Sequence, residues 1–349
     1  MSDKAFLDLS QFERLEKIGK GQFRAVYKVK CKKTNEILAS KISLKELEIE
    51  EDEEGPRSLI RNLVREVNIM SKLNHPSIVK FIGFSRNNFS GDPKPVIITE
   101  LMTGGSLSTL IESERNGISN DKWNPTRKLI ILYGVASAMS YLHSHNIIHR
   151  DLKPDNILLD NQLYPKIADF GLSKILHRNE DSLSAVSTGG FKGTFLYSSP
   201  EVLIDAEYTP AGDVYSFGII AYEVITNDEP FKNCSFTELL IKVTNGTRPP
   251  FECEIPNSYK NLIERCWAQE QSDRPTFEQI VDEMKNDNGF ITDLIDEADF
   301  INYVDYIDDC QISFEKGKKI VSIDEFIKRK KEESDDSDSD DEHVVHIGF

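Results

Sequence analysis

No apolar run in this chain approaches the roughly 18 residues that a membrane helix needs, so no membrane segment is expected. Met1–Ser10 is mixed in character and lacks the apolar stretch of a secretory signal. Cysteine is sparse and scattered: Cys31, Cys234, Cys253, Cys266 and Cys310, with no C-x-x-C pair. An odd, dispersed set argues against a disulfide framework and against a metal site, and for reduced thiols. Positive charge is short as well. Against 59 Asp and Glu stand 42 Lys and Arg, a formal net charge of -17, which argues against general binding to nucleic acid or anionic membrane. No internal repeat is present. The default location on these grounds is the cytoplasm, with the nucleus left open.

What is present is enough for a sizeable core. The chain has 349 residues, 39% of them hydrophobic. Charge is uneven: from Asn286 to Phe349 there are 19 acidic and 7 basic residues. The body is therefore nearly balanced and the tail acidic. Short β-type runs dominate the first ninety or so residues: Phe12 to Gly19, Ala25 to Cys31, Glu36 to Leu44, Ile78 to Phe84 and Pro95 to Leu101. One helix, from about Ser58 to Leu73, interrupts them, with Leu63, Val67, Met70 and Leu73 at helical spacing. After Gly104-Gly105 the pattern turns helical. Leu129 to His143 and Val214 to Ile225 are apolar on most sides and read as buried. Strands followed by helices, without alternation, predict an α+β protein with two lobes. Phe290 to Tyr306 and Ile323 to Lys331 read as amphipathic helices. Glu332 to Glu342 is almost purely Ser, Asp and Glu, which cannot bury enough apolar area to fold alone.

The chemistry-bearing residues begin at Gly19-Lys20-Gly21, a turn between two strands followed by Val26. Glycines let backbone N–H groups approach a phosphate, but most Gly-x-Gly pairs are ordinary turns. Ala39 and Lys41 are two apart and share one strand face. Glu66 lies at the edge of the apolar helix stripe, where a carboxylate is costly unless paired. Lys41 is its natural partner; the plain alternative is a Glu that points to solvent. The densest signal is Ile147-Ile148-His149-Arg150-Asp151-Leu152-Lys153-Pro154-Asp155-Asn156-Ile157-Leu158-Leu159, a polar loop between apolar strands. Lys166-Ile167-Ala168-Asp169-Phe170-Gly171 follows. Asp151, Asn156 and Asp169 supply hard oxygens for a magnesium ion and a base beside it.

Taken in order and at their spacing, these motifs resemble the eukaryotic protein-kinase family. The resemblance runs from about Phe12 to Met284 and includes Ser199-Pro200-Glu201, Asp213 and Arg274. It implies a bilobal protein-kinase-like fold, with a small β-rich N-lobe (about 12–101) and a large helical C-lobe (about 106–285). It leaves an N-terminal extension (1–11), a partly helical C-terminal extension (286–331) and an acidic disordered tail (332–349). Roles follow from the match. Ile18, Gly19, Lys20 and Gly21 would cover the ATP phosphates. Lys41 would hold the α- and β-phosphates and pair with Glu66. Asp151 would orient the substrate hydroxyl and accept its proton, and Lys153 would steady the γ-phosphate. Asn156 and Asp169 would bind magnesium, with manganese as a substitute. Thr99 would be the gatekeeper, and Glu100 and Met102 would bond the adenine edge through their backbones. Val26, Ala39 and Leu158 would sandwich the base, and Ser106 would lie near the ribose. Glu201 would pair with Arg274, Asp213 would brace the catalytic loop, and Met70, Phe81, His149 and Phe170 would stack.

Lys153-Pro154 after Asp151, and Gly193-Thr194, fit a serine/threonine enzyme. Asp213-Val-Tyr-Ser-Phe-Gly, Cys266-Trp267 and Arg274-Pro275-Thr276-Phe277 resemble the tyrosine-kinase-like branch, which keeps dual specificity as an alternative. The rivals are a pseudokinase-type ATP-binding scaffold and a metabolite phosphotransferase. An intact set of Lys41, Glu66, Asp151, Asn156 and Asp169 weighs against the first. The long segment from Ser173 to Leu196, suited to protein substrates, weighs against the second. Within it, Ser182, Ser184, Ser187 and Thr188 are candidate phosphosites, with Arg150 placed to pair with a phosphate. Asp155 and Glu223 are candidates for attracting basic residues of a substrate. Residues 290–331 are a candidate docking segment for the catalytic domain or a partner. One position departs from the family: Arg24 replaces the third loop glycine, and it is expected to swing out to solvent, with a place near the phosphates as the alternative.

Overall fold

The computed structural model describes residues 6–20, 24–44, 63–175, 194–315 and 321–339. Alternating side chains divide the N-terminal sheet into two faces. In β3 (Ile37–Ser43), Leu38 and Ile42 join Phe12, Val29, Val96 and Ile98 in a small apolar cluster, while Ala39 and Lys41 point the other way. The sheet is antiparallel, in the order β1 (Phe12–Lys20), β2 (Arg24–Cys31), β3, β5 (Val96–Glu100), β4 (Phe81–Ser85). Helix α1, described over 63–70, adds Leu63, Val67, Ile69 and Met70 to the larger core, which also takes Ile97 of β5. The strand expected from Ile78 starts only at Phe81. Ile78 and Val79 spend their backbone elsewhere: the Val79 N–H donates to Ile167 O at 2.9 Å, and the Ile167 N–H to Ser77 O at 2.8 Å.

The C-terminal lobe opens with β6 (Gly105–Ser106) and α2 (Leu107–Arg115). Helix α3 (Pro125–Ser144) starts on Pro125, with the Asn124 side chain accepting from the Arg127 N–H at 2.9 Å. It is buried from Leu129 to Met139, so it is apolar all round. Short strands β7 (Ile147–Ile148), β8 (Ile157–Leu159), β9 (Pro165–Ile167) and β10 (Lys174–Ile175) follow. Then come α4 (Pro200–Asp205), α5 (Pro210–Thr226), α6 (Phe236–Thr244), α7 (Asn257–Cys266) and α8 (Phe277–Asn286). Helix α5, capped by Thr209, is buried from Gly212 to Val224. The result is the α+β bilobal fold: a small sheet lobe on a larger helical one.

Two helices follow, α9 (Glu297–Glu315) and α10 (Ile323–Ser339). The first begins later than the sequence suggests. Phe290 is buried against Tyr259 in a tight turn (ring centroids 5.0 Å apart), and Asp296 caps the helix by accepting the Asp299 N–H at 3.0 Å. Helix α10 continues past residue 331, where the acidic tail was expected to begin. Its basic segment supports this through Arg329–Glu325 and Lys328–Glu332 pairs one turn apart. Helix α9 packs on α3. Phe300, Tyr303, Val304 and Ile307 are buried, and Tyr303 stacks on Tyr164 at 5.0 Å while sharing a 2.8 Å hydrogen bond with Ser77. Gly134 of α3 makes this possible, because a Cβ there would lie 2.4 Å from the Tyr303 hydroxyl. No helix among the described residues is long and apolar enough to cross a membrane. All five cysteines are free thiols.

Candidate active site

The polar loop expected to carry chemistry hangs between β7 and β8, and Asp213 fixes its entry. From the first turn of α5, the Asp213 carboxylate accepts the His149 N–H at 2.8 Å and the Arg150 N–H at 2.9 Å. His143 Nε2 lies 3.0 Å from the same carboxylate. This brace holds Arg150 in a left-handed conformation at φ 70°. His149 is fully buried, with its ring 5.4 Å from Phe170. Met70 and Phe170 share the larger core, and Phe81 packs against it.

Asp151 follows, held by two neighbours. Lys153 Nζ donates to its oxygens at 3.0 and 2.9 Å. Asn156 Nδ2 donates to its carbonyl at 2.7 Å and to its carboxylate at 2.9 Å. A carboxylate gripped by two donors is held in one geometry. Asp155 accepts a hydrogen bond from Ser108 at 3.0 Å. The Asn156 N–H₂ is committed to Asp151, which leaves the amide oxygen as its acceptor.

Asp169 sits at φ 63°, and the Gly171 N–H reaches its carboxylate at 3.3 Å. The Lys41 ammonium holds Asp169 far below the ordinary carboxylate range; burial opposes this, and Arg24 adds to it. Lys41 stands opposite Val26 of β2 and Ile97 of β5. Ala39 stands opposite Thr99, and Ala39 and Thr99 are both buried. Leu158 pairs with Ser106 across β8 and β6. Gly19 pairs with Val26 and Lys20 with Ala25, while Ile18 is exposed; Gly21 lies outside the described residues. The Glu100 side chain accepts the Lys80 N–H at 2.7 Å and pairs with Lys166 at 3.0 Å. Met102 follows β5 in the link to the second lobe. The side chain of Ser106, expected near a ribose, caps α2 by accepting the Thr109 N–H at 3.3 Å.

Three expectations change. Arg24 does not swing to solvent. Its guanidinium grips Glu66 with both arms, Nη1 to Oε1 at 2.8 Å and Nη2 to Oε2 at 2.5 Å. Glu66 is completely buried, and no Lys41–Glu66 ion pair is present among the described residues. The physical reason is geometric: a planar fork matches both oxygens of a buried carboxylate, which one ammonium does not. Glu223 is also unavailable for a substrate, because it is buried and bonded to Arg115 at 2.7 Å and Tyr197 at 2.8 Å. Arg150 lies flat over Tyr208, 3.9 Å from the ring centre, a contact between residues 58 positions apart that no local pattern signals. The candidate phosphosites Ser182, Ser184, Ser187 and Thr188 lie outside the described residues. The buried pair expected between Glu201 and Arg274 is present at 2.7 and 2.9 Å.

A sheet lobe over a helical lobe, with this loop and Asp169 between them, is a bilobal protein-kinase-like arrangement. Comparison with known families agrees: residues 12–284 match the protein kinase domain. The chain therefore belongs to the protein kinase family. It is 32% identical over 276 residues to a probable serine/threonine-protein kinase of Dictyostelium discoideum, covering 79% of this chain and 28% of that protein. It is 33% identical over 277 residues to a dual specificity protein kinase of the same organism, covering 77% of this chain and 50% of the relative. It is 32% identical over 267 residues to ephrin type-A receptor 1 of Homo sapiens, covering 75% of this chain and 25% of the receptor. The matched part is thus half or less of each of these relatives.

Proposed function

We propose that this chain transfers the γ-phosphate of ATP to serine and threonine hydroxyls of protein substrates, as a signalling enzyme of the cytoplasm. The observation that carries this reading is the Asp151 carboxylate held by Lys153 and Asn156 on a loop braced by Asp213. In the reaction Asp151 orients the hydroxyl and takes its proton as that oxygen bonds to the γ-phosphorus. The bond to the β–γ bridging oxygen breaks, and ADP leaves. Lys153 steadies the γ-phosphate, and Lys41 the α- and β-phosphates. Val26, Ala39 and Leu158 enclose the adenine, with Thr99 at the back and the backbones of Glu100 and Met102 at its edge. Positioning and charge stabilisation account for most of such catalysis.

Magnesium suits the donor set. Asp169 is firmly ionised and Asn156 offers an amide oxygen, both hard ligands. Bound there, the ion would neutralise phosphate charge. Phosphorylation among Ser182, Ser184, Ser187 and Thr188 is proposed to raise activity, with Arg150 as the receiving cation. Dual specificity is the second reading, favoured by the similarity to a kinase of that name. Phospho-amino-acid analysis of a labelled basic protein separates the two. Label on Ser and Thr alone supports the first reading, label that includes Tyr supports the second, and no label on protein contradicts both. Phosphatase treatment is expected to lower the rate; an unchanged rate removes the activation-loop proposal.

A further inference from the structure

The β2–β3 register places two cations on one face of the sheet. Val26 stands opposite Lys41, and Arg24, two residues earlier, stands opposite Ser43. Arg24 is therefore a same-face neighbour of Val26 and Lys41. Its side chain is about one quarter exposed (26%), whereas the Glu66 carboxylate it grips has no exposure at all. The pair lies directly over Asp169-Phe170-Gly171. A Cβ on Gly171 would be 3.8 Å from Arg24 Nη2, 3.8 Å from Glu66 Oε2 and 3.2 Å from Asp169 Oδ1. Arg24, Glu66 and Asp169 thus converge on Gly171, with Lys41 on the same face of the sheet as Arg24. The two cations sort by shape. The fork takes the buried carboxylate that needs both oxygens satisfied, and no Lys41–Glu66 ion pair forms among the described residues.

Resting on the kinase reading above, we propose that Arg24 is a positioning residue for phosphate transfer, replacing Lys41 as the cation that anchors Glu66 and α1, so that Lys41 serves only Asp169 and the nucleotide. Burial opposes the charge on Arg24, and the Glu66 carboxylate more than offsets it, so the guanidinium stays protonated at any working pH. In the family pattern one lysine serves both the helix glutamate and the phosphates. Here the two tasks fall to two residues. The arginine at the third glycine position is then an adaptation of the site and not a defect in it.

The test combines kinetics with a melting cycle on the full chain, using Arg24→Met, Arg24→Lys, Glu66→Gln and the double variant Arg24→Met/Glu66→Gln. With ATP varied at fixed magnesium and basic-protein substrate, Arg24→Met is expected to lower kcat about tenfold or more, since a displaced catalytic frame loses rate steeply. KM for ATP should stay within about twofold, because Arg24 acts through Glu66 and not on the nucleotide. Arg24→Lys should recover part of kcat. An unchanged or raised kcat in Arg24→Met, or a rise in KM alone, overturns the proposal. In the melting cycle Arg24→Met is expected to lower Tm by roughly 6 °C or more, as for a broken buried pair. The double variant should melt no lower than Arg24→Met. Additive losses overturn the coupling. The cycle needs no turnover: wild-type protein that binds ATP, carries a phosphorylated activation segment and transfers no phosphate sinks the kinase reading, while the melting data still decide whether Arg24 holds Glu66.

Discussion

Asp213 shows how one side chain fixes the polar loop between β7 and β8. It is buried, it takes two consecutive backbone N–H groups, and it touches His143. Replacing it with Ala leaves those donors without an acceptor in a dry place, and each such group costs about 1–3 kcal/mol. Asp213→Ala is expected to lose roughly 3 kcal/mol in urea unfolding, with a fall in phosphate transfer, on that same scale. A stable protein with normal transfer would deny the brace. At this scale the sequence was informative about residue identity and about the Glu201–Arg274 pair, but not about the partner of Glu66. Asp151, Asn156 and Asp169 stood out because charged residues between apolar strands are poor structural choices. The partner of Glu66 was misread, although strand alternation from Val26 puts Arg24 on the pocket face. Choosing between Arg24 and Lys41 required knowing that both oxygens of Glu66 are buried, and burial is a property of the folded chain.

Among elements, α9 changes the picture most. It seals the back of α3 and reaches the loop before β4 through the Tyr303–Ser77 hydrogen bond. The C-terminal extension is thus part of the main core. Gly134→Ala is expected to destabilise the protein by about 1–3 kcal/mol, because the new methyl meets the Tyr303 hydroxyl and Pro165. Thermal unfolding checks it, and pairing the substitution with Tyr303→Leu, which removes the ring and hydroxyl, should recover part of the loss. Helix α9 was legible as an amphipathic segment, but its start was not. Asp296 is the cap, and the Thr126 hydroxyl that accepts the Asp296 N–H at 2.8 Å is 170 positions away in the chain. Tyr303 and Ser77 are 226 positions apart, beyond any local pattern. The strand-then-helix order that predicted two lobes needed no such long-range knowledge, because periodicity and turn residues are local.

For the molecule as a whole, pH dependence is one measurable consequence. Burial, reinforced by the Lys166 ammonium, pushes His75 down to about 3. Its ring is satisfied as a neutral group, with Nδ1 accepting from the Ser77 N–H at 3.1 Å and Nε2 3.2 Å from Ser137. An unfolded histidine binds a proton near pH 6.5, so the unfolded chain gains protons first as the medium acidifies. The contribution of His75 is therefore complete above that pH and is lost as pH falls toward 3, by about 1.4 kcal/mol per pH unit in that window. Denaturation measured from pH 7 to 5 should show this slope, and His75→Gln should flatten it; equal slopes would remove the assignment. The central claim, that lobes, loop and charged residues together make a working protein kinase, is tested most directly by labelled phosphate transfer. Wild type and Asp169→Ala are compared with ATP, magnesium and a generic basic protein. Label is expected from wild type and is expected to be lost in the variant, which no longer presents the ionised carboxylate beside Lys41. Equal label from both proteins, or none from wild type that still binds ATP and carries a phosphorylated activation segment, would contradict the claim.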